Sequence, residues 1–94
     1  FMFEGLIRHD ISTGRETRFH LPEGEYCSEA VFAPRIGATA EDDGYVITFT
    51  IDVPNDRSDC AIFDARDIAA GPVARVRLPE RISSGTHACW TNAT

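Results

Sequence analysis

The sequence has no lysine: all nine of its basic residues are arginine, and fifteen acidic residues bring the net charge to −6. The arginines are scattered along the chain, so there is no clustered basic patch of the kind that releases counterions from a phosphate backbone. No run of apolar residues approaches the roughly 20 that a membrane-spanning helix needs. The composition therefore argues against nucleic-acid binding and against a spanning helix.

Cysteine is scarce and its spacing is irregular. Cys27, Cys60 and Cys89 are widely separated, odd in number and without a C-x-x-C pair. This pattern fits neither a closed disulfide framework nor a zinc ribbon. We therefore expect reduced thiols that pack as small hydrophobic residues, which favours a cytoplasmic protein.

Recognisable nucleotide and nucleophile motifs are also missing. The sequence has no glycine-rich phosphate loop and no G-x-S-x-G element, which leaves nucleotide and nucleophilic-serine chemistry without support. No targeting segment is visible, and the first residue is Phe1 rather than Met. We therefore expect these 94 residues, enough for at most one domain, to be a piece of a longer protein.

What the sequence does contain is an almost wholly β pattern. Residues 44–52 alternate strictly, with Tyr45, Ile47, Phe49 and Ile51 on one face. Turn-forming residues bound this strand and its neighbours, and a single helical turn is expected before Gly71. The predicted strands of this region are 29–35, 44–52, 60–64 and 72–78, the last of them an exposed edge strand.

Four short strands with tight connections over 29–78 indicate an antiparallel meander, which is the architecture of one propeller blade. Residues 1–21 read as a hairpin that precedes the blade, and 85–90 read as a lone strand that follows it. Half a sheet and a single strand leave unpaired edges, which complete folds avoid. We therefore predict an all-β segment of one β-propeller domain spanning 1–94: the outer hairpin of one blade, one whole blade, and the first strand of the next.

Several motifs, in the same order, resemble the C-terminal end of the carotenoid cleavage oxygenases. That family includes the lignostilbene dioxygenases and the retinal pigment epithelium isomerase. The motifs are RHDISTG at 8–14, SEAVFAPR at 28–35, AEDDG at 40–44, DA at 64–65, PVARVRLP at 72–79 and GTH at 85–87.

The resemblance implies the C-terminal segment of a seven-bladed β-propeller with an axial non-haem Fe(II) on four histidines. Three outer carboxylates would orient three of these ligands. With O2, such enzymes split a conjugated carbon–carbon double bond of a carotenoid, apocarotenoid or stilbenoid into two carbonyl products, and some members isomerise instead.

Two positions match the family's metal site. His87, in Gly-Thr-His-Ala, corresponds to the last iron ligand, and Glu29, in Ser-Glu-Ala-Val-Phe, corresponds to an orienting carboxylate. A neutral imidazole suits Fe(II), and a carboxylate on its other ring nitrogen fixes tautomer and orientation. We therefore expect Glu29 to bond the ring nitrogen of His87 that faces away from iron.

The sequence departs from the family at three positions near these two residues. Ala30 replaces the usual Pro, Ala88 an often-found Gly, and Thr86 an often-found Phe. The position before the ligand histidine lies near the substrate cavity in this family. Thr86 is therefore a candidate substrate-cavity residue. Because threonine replaces an aromatic side chain there, the shape of the preferred substrate can differ from that of other family members.

The same residues also fit interpretations that involve no metal site. His87 fits an ordinary half-buried strand histidine, while Cys89 on the same strand face suggests a soft-metal pair but fits packing better. His9 and His20 are expected at the surface. The main rival function is a non-catalytic β-rich module, without metal, that binds or scaffolds a protein.

One imidazole cannot hold Fe(II) in a defined site, so the 94-residue piece alone is expected to be inactive. The expected partners are the remainder of the same propeller, O2 and a hydrophobic conjugated alkene. Substrate identity, the number of oxygen atoms incorporated and any peripheral membrane attachment stay open.

Overall fold

A computed structural model describes residues 3–83 and 87–91, and this part of the chain forms seven β-strands and one 3₁₀ turn. Within these residues no helix is long and apolar enough to cross a membrane. All pairing is antiparallel, which confirms the predicted all-β class. The elements are β1 (Gly5–Asp10), β2 (Arg15–His20), β3 (Glu25–Cys27), β4 (Val31–Pro34), β5 (Gly44–Asp52), β6 (Arg57–Asp64), the 3₁₀ turn (Ile68–Ala70) and β7 (Ala74–Arg77).

The main sheet is the expected meander, with one difference at its first position. β5, β6 and β7 follow one another across the sheet, and β3 and β4 share the remaining edge of β5. The first strand of the meander is thus interrupted, and its three-residue half β3 lies outside the predicted range of 29–35. β7 forms the other edge and is exposed along its length, as its charged alternation indicates.

The interruption between β3 and β4 is a β-bulge. The register of β3 places Cys27 opposite Thr50, and the register of β4 places Val31 opposite Ile47. Three residues, 28–30, therefore stand opposite two residues of β5. An extra residue of this kind locally disrupts the ladder and changes where the side chains of the bulged strand point.

The core lies between one face of this sheet and the β1–β2 hairpin. Ala61 and Phe63 of β6 are fully buried there with Ile68 of the 3₁₀ turn. Phe19 of β2 meets Phe63 edge to face, with ring centroids 5.2 Å apart. The hairpin is therefore packed on the sheet by aromatic and aliphatic side chains rather than tethered only by the chain.

The opposite face of the sheet is apolar but only partly covered. The segment that follows β7 crosses one end of it, where the Leu78 N–H donates to the Ser58 carbonyl and the Ile82 N–H to the Ser58 hydroxyl. Away from that end, strand alternation puts a group of apolar side chains on this face, several of them exposed by 39% to 52%. We call this group the open apolar face: Tyr45, Ile47, Phe49, Cys60, Ile62 and Val76.

β6 begins at Arg57, three residues before the predicted start at 60, because the turn after β5 is shorter than expected. Two further predictions concern the end of the chain and the cysteines. Residues 87–91 are not assigned to a strand, and positions 85 and 86 of the strand predicted over 85–90 lie outside the described residues, so that strand stays a prediction. Cys27 is buried and Cys60 partly buried, as expected, but Cys89 is exposed. Burial raises the pKa of the Cys27 thiol, which keeps it neutral.

Candidate metal centre

Glu29 and His87 lie far apart in the sequence but side by side in the fold. Glu29 extends from the bulge between β3 and β4, and His87 follows the segment that crosses the sheet after β7. His87 Nδ1 lies 3.2 Å from Glu29 Oε2, within hydrogen-bond distance. This is the contact expected between a ligand histidine and its orienting carboxylate.

The same carboxylate oxygen also accepts a second hydrogen bond. The Ala88 backbone N–H donates to Glu29 Oε2 at 3.1 Å. Glu29 thus holds both the imidazole ring of His87 and the backbone of the next residue. Two bonds from adjacent groups restrain the ring more tightly than one, because they fix the main chain from which the ring extends.

The ring presents its other nitrogen away from the carboxylate. With Nδ1 directed at Glu29, Nε2 lies on the far side of the imidazole, and the His87 side chain is 85% exposed. An accessible ring nitrogen with its opposite nitrogen on a carboxylate is the usual arrangement of a metal-binding histidine. The donor set of this pair therefore fits a ligand for a divalent metal such as Fe(II).

A cavity of about 240 Å³ adjoins the pair. Its wall combines the carboxylate and imidazole with apolar side chains of β5, so one polar end faces a mostly hydrophobic lining. Such a composition suits an apolar ligand oriented by a few polar groups. The lining residues are Ser28, Glu29, Phe49, Ile51, Ile82, Ser83, His87 and Ala88.

Among the described residues, no further candidate ligand joins Glu29 and His87. Across residues 3–83 and 87–91, no group of three or more His, Cys, Asp or Glu side chains is arranged to hold a metal. His9 lies on the hairpin, where its Nδ1 is 3.5 Å from Glu16 Oε1. Thr86 lies outside the described residues. The described chain thus brings one candidate ligand and its carboxylate partner together, and further ligands would have to come from elsewhere.

Two hydroxyl groups next to Glu29 were not predicted from the sequence. Ser28, in the bulge, and Thr48, on β5, lie in hydrogen-bond contact with each other. Thr48 is 2% exposed. The alternation of β5 predicts which face of the sheet Thr48 lies on, but it does not predict a hydrogen-bond partner. The contact with Ser28 is therefore visible only in the folded structure.

The fold and this site define an all-β propeller segment in which His87 is paired with the Glu29 carboxylate. Over residues 1–92 the sequence matches the family described as Retinal pigment epithelial membrane protein. The chain belongs to this family, that of the carotenoid cleavage oxygenases.

Several proteins that the chain resembles are oxygenases by name. The chain is 36% identical over 90 residues to isoeugenol monooxygenase of Pseudomonas nitroreducens, covering 96% of the chain and 19% of that protein. It is 34% identical over 94 residues to lignostilbene-α,β-dioxygenase isozyme III of Sphingomonas paucimobilis, covering 100% and 19%. The crystal structure of lignostilbene dioxygenase from Pseudomonas brassicacearum matches with a TM-score of 0.90 and 32% identity, over 98% of the chain and 19% of that protein. The chain thus spans about a fifth of the length of these relatives.

Proposed function

We propose that the chain is the C-terminal part of a non-haem Fe(II)-dependent oxygenase that cleaves a conjugated carbon–carbon double bond to two carbonyl products. The proposed substrate is a carotenoid, an apocarotenoid or a stilbenoid. Support comes from the named activities of its relatives, which include lignostilbene and carotenoid dioxygenases and an apocarotenoid oxygenase. We further propose that catalysis needs the rest of the propeller, so the 94-residue piece alone is inactive.

His87 is the proposed iron ligand, through Nε2, and Glu29 its orienting carboxylate. The observation that carries this assignment is the 3.2 Å contact between His87 Nδ1 and Glu29 Oε2. A solved structure described as cobalt-substituted apocarotenoid oxygenase of Synechocystis, 30% identical with a TM-score of 0.89, adds support for a metal in this family.

The bound metal would supply the open coordination positions that O2 chemistry needs. This chain contributes a neutral imidazole of fixed tautomer, because Glu29 accepts from Nδ1 and leaves Nε2 as the donor to the metal. Thr86, which precedes the ligand, is proposed to border the substrate. The apolar wall of the adjoining cavity, which includes Ile51 and Ile82, suits a hydrophobic conjugated alkene.

Loss of the Glu29 carboxylate is expected to weaken iron binding in the intact protein. Glu29→Ala removes the acceptor of both hydrogen bonds, and such outer partners of a ligand contribute about 10–100-fold to metal affinity. Glu29→Gln keeps an oxygen acceptor without the charge, so its affinity is expected to fall between wild type and alanine. Competition with a calibrated chelator measures both.

A control for this series is Glu23→Ala, at an exposed acidic residue in the turn before β3. It is expected to leave iron affinity unchanged, because the same unit of charge is removed away from His87. Equal affinities for wild type and Glu29→Ala would contradict the assigned role.

We propose that the open apolar face packs against another part of the same propeller. Exposed apolar patches on a sheet mark contact surfaces, and the relatives are about five times as long as this chain. Val76→Asp, on that face, is expected to lower the free energy of unfolding of the intact protein by about 2 kcal/mol, because it buries an unpaired charge.

Val53→Asp is a matched control for this substitution. Val53 is 45% exposed against 52% for Val76, but it lies in the turn between β5 and β6 and outside the open apolar face. Chemical denaturation of the two variants distinguishes a face that is covered in the intact protein from one that is exposed to solvent. Equal, small losses would show that the face is solvated in the intact protein.

We propose a cytoplasmic location, on the expectation of reduced thiols. The rival function, a metal-free module that binds a protein partner, makes the opposite prediction for iron. Purified intact protein should contain iron and convert a stilbenoid or apocarotenoid to carbonyl products under the first proposal. Neither property is expected under the second.

A further inference from the structure

We propose that Thr48 is a positioning residue for the metal site: its buried hydroxyl holds the β-bulge at 28–30 in the form that directs Glu29 at His87. The expected effect of Thr48 on iron binding rests on the proposed function. The bulge itself is observed independently of any metal.

The bulge is closed by four short contacts between its first residue and β5. The Thr48 hydroxyl donates to the Ser28 carbonyl at 2.9 Å. The Phe49 backbone N–H donates to the Ser28 hydroxyl at 3.2 Å, and the Ser28 N–H donates to the Phe49 carbonyl at 2.9 Å. The two hydroxyl oxygens lie 3.3 Å apart.

Side-chain hydroxyls take the place of ladder bonds here. In a regular strand the Phe49 N–H would bond a backbone carbonyl, but the extra residue breaks that ladder, and the Ser28 side chain accepts instead. The Ser28 carbonyl in turn finds the Thr48 hydroxyl. The bulge therefore depends on two hydroxyl groups for the hydrogen bonds that β-pairing would otherwise provide.

The connection from Thr48 to the ligand is short. Ser28 precedes Glu29 directly, so the peptide plane held by Thr48 is the one from which the Glu29 backbone leaves. Glu29 then bonds His87 Nδ1 and the Ala88 N–H through one oxygen. A small rotation at Ser28 is amplified along the glutamate side chain and separates that oxygen from the imidazole.

The test uses the intact protein with Thr48→Val, which keeps the shape of the side chain and removes its hydroxyl. Thr48→Ser retains the hydroxyl and is the rescue variant. Thr50→Val is the matched control, because Thr50 is 1% exposed on the same strand and the same face. Iron release to a chelator is measured for each, with thermal unfolding of the metal-free proteins.

Thr48→Val is expected to release iron about tenfold faster than wild type, at the lower end of the range for partners outside the ligand set. Thr48→Ser and Thr50→Val are expected to stay within about twofold. In a Glu29→Ala background Thr48→Val should add nothing, because its effect passes through Glu29. An equal effect with and without Glu29, or equal effects of Thr48→Val and Thr50→Val, would overturn the proposal.

A second readout does not depend on iron. In crystals of the metal-free intact protein, the Glu29 Oε2–His87 Nδ1 separation is expected to exceed hydrogen-bond distance in Thr48→Val and to stay near 3.2 Å in Thr50→Val. An unchanged separation in Thr48→Val would overturn the inference. Wild-type protein that binds no iron would instead overturn the proposed function, and the separation would still decide the role of Thr48.

Discussion

His87→Ala in the intact protein is expected to reduce iron affinity and alkene cleavage by more than about a hundredfold. The expectation follows from the geometry: Glu29 Oε2 lies 3.2 Å from His87 Nδ1, and the exposed side chain leaves Nε2 accessible to a metal. Partners outside the ligand set already contribute 10–100-fold, so loss of a ligand itself costs more. Iron content and product formation, measured on the same preparation, test both effects.

His20→Ala is the control for this variant. His20 is an exposed imidazole on β2, away from Glu29, and it should keep full iron content and activity. In their metal-free forms both variants should unfold at similar temperatures, because both side chains are solvent-exposed in the described chain. Retention of iron and activity by His87→Ala would contradict the assigned ligand.

Phe63→Ala is expected to lower the free energy of unfolding by about 3–5 kcal/mol. Phe63 is fully buried, and its ring meets Phe19 of the hairpin edge to face. Truncation leaves a cavity between sheet and hairpin and removes the aromatic pair. Denaturant titration, followed by intrinsic fluorescence and circular dichroism, measures the loss.

Phe63→Leu tests whether the stability loss at position 63 comes from the lost side-chain volume. Leucine fills most of the space, so a loss well below that of the alanine variant is expected. Phe3→Ala, at a phenylalanine that is 42% exposed, should cost less than Phe63→Ala. Similar losses for Phe3→Ala and Phe63→Ala would mean that the hairpin does not pack on the sheet as described.

Strands with a clear period were predictable from the sequence. The alternation from Tyr45 to Ile51 predicts β5 with its observed bounds. The turn-forming residues after it predict a hairpin with β6, but they were expected to extend over 54–59, whereas β6 already begins at Arg57. β3 was not predicted because three residues carry too little pattern. The bulge was not predicted either, because a register shift of one residue is a property of two strands together.

The site was predictable in part. Motif resemblance singled out Glu29 and His87, and the fold brings their side chains within 3.2 Å. The motif resemblance did not identify Thr48, because the sequence pattern does not distinguish this threonine from other inward-facing residues of β5. Its significance depends on a carbonyl 20 positions away in the sequence that only the bulge exposes.

The central claim is that His87 binds the metal through Nε2 while Glu29 holds Nδ1. The most direct measurement is a crystal structure of the intact, iron-loaded protein with anomalous data at the iron absorption edge. The account predicts an iron peak within coordination distance of His87 Nε2, with Glu29 Oε2 on the opposite ring nitrogen. An iron peak remote from His87, or a His87 side chain directed into solvent, would contradict it.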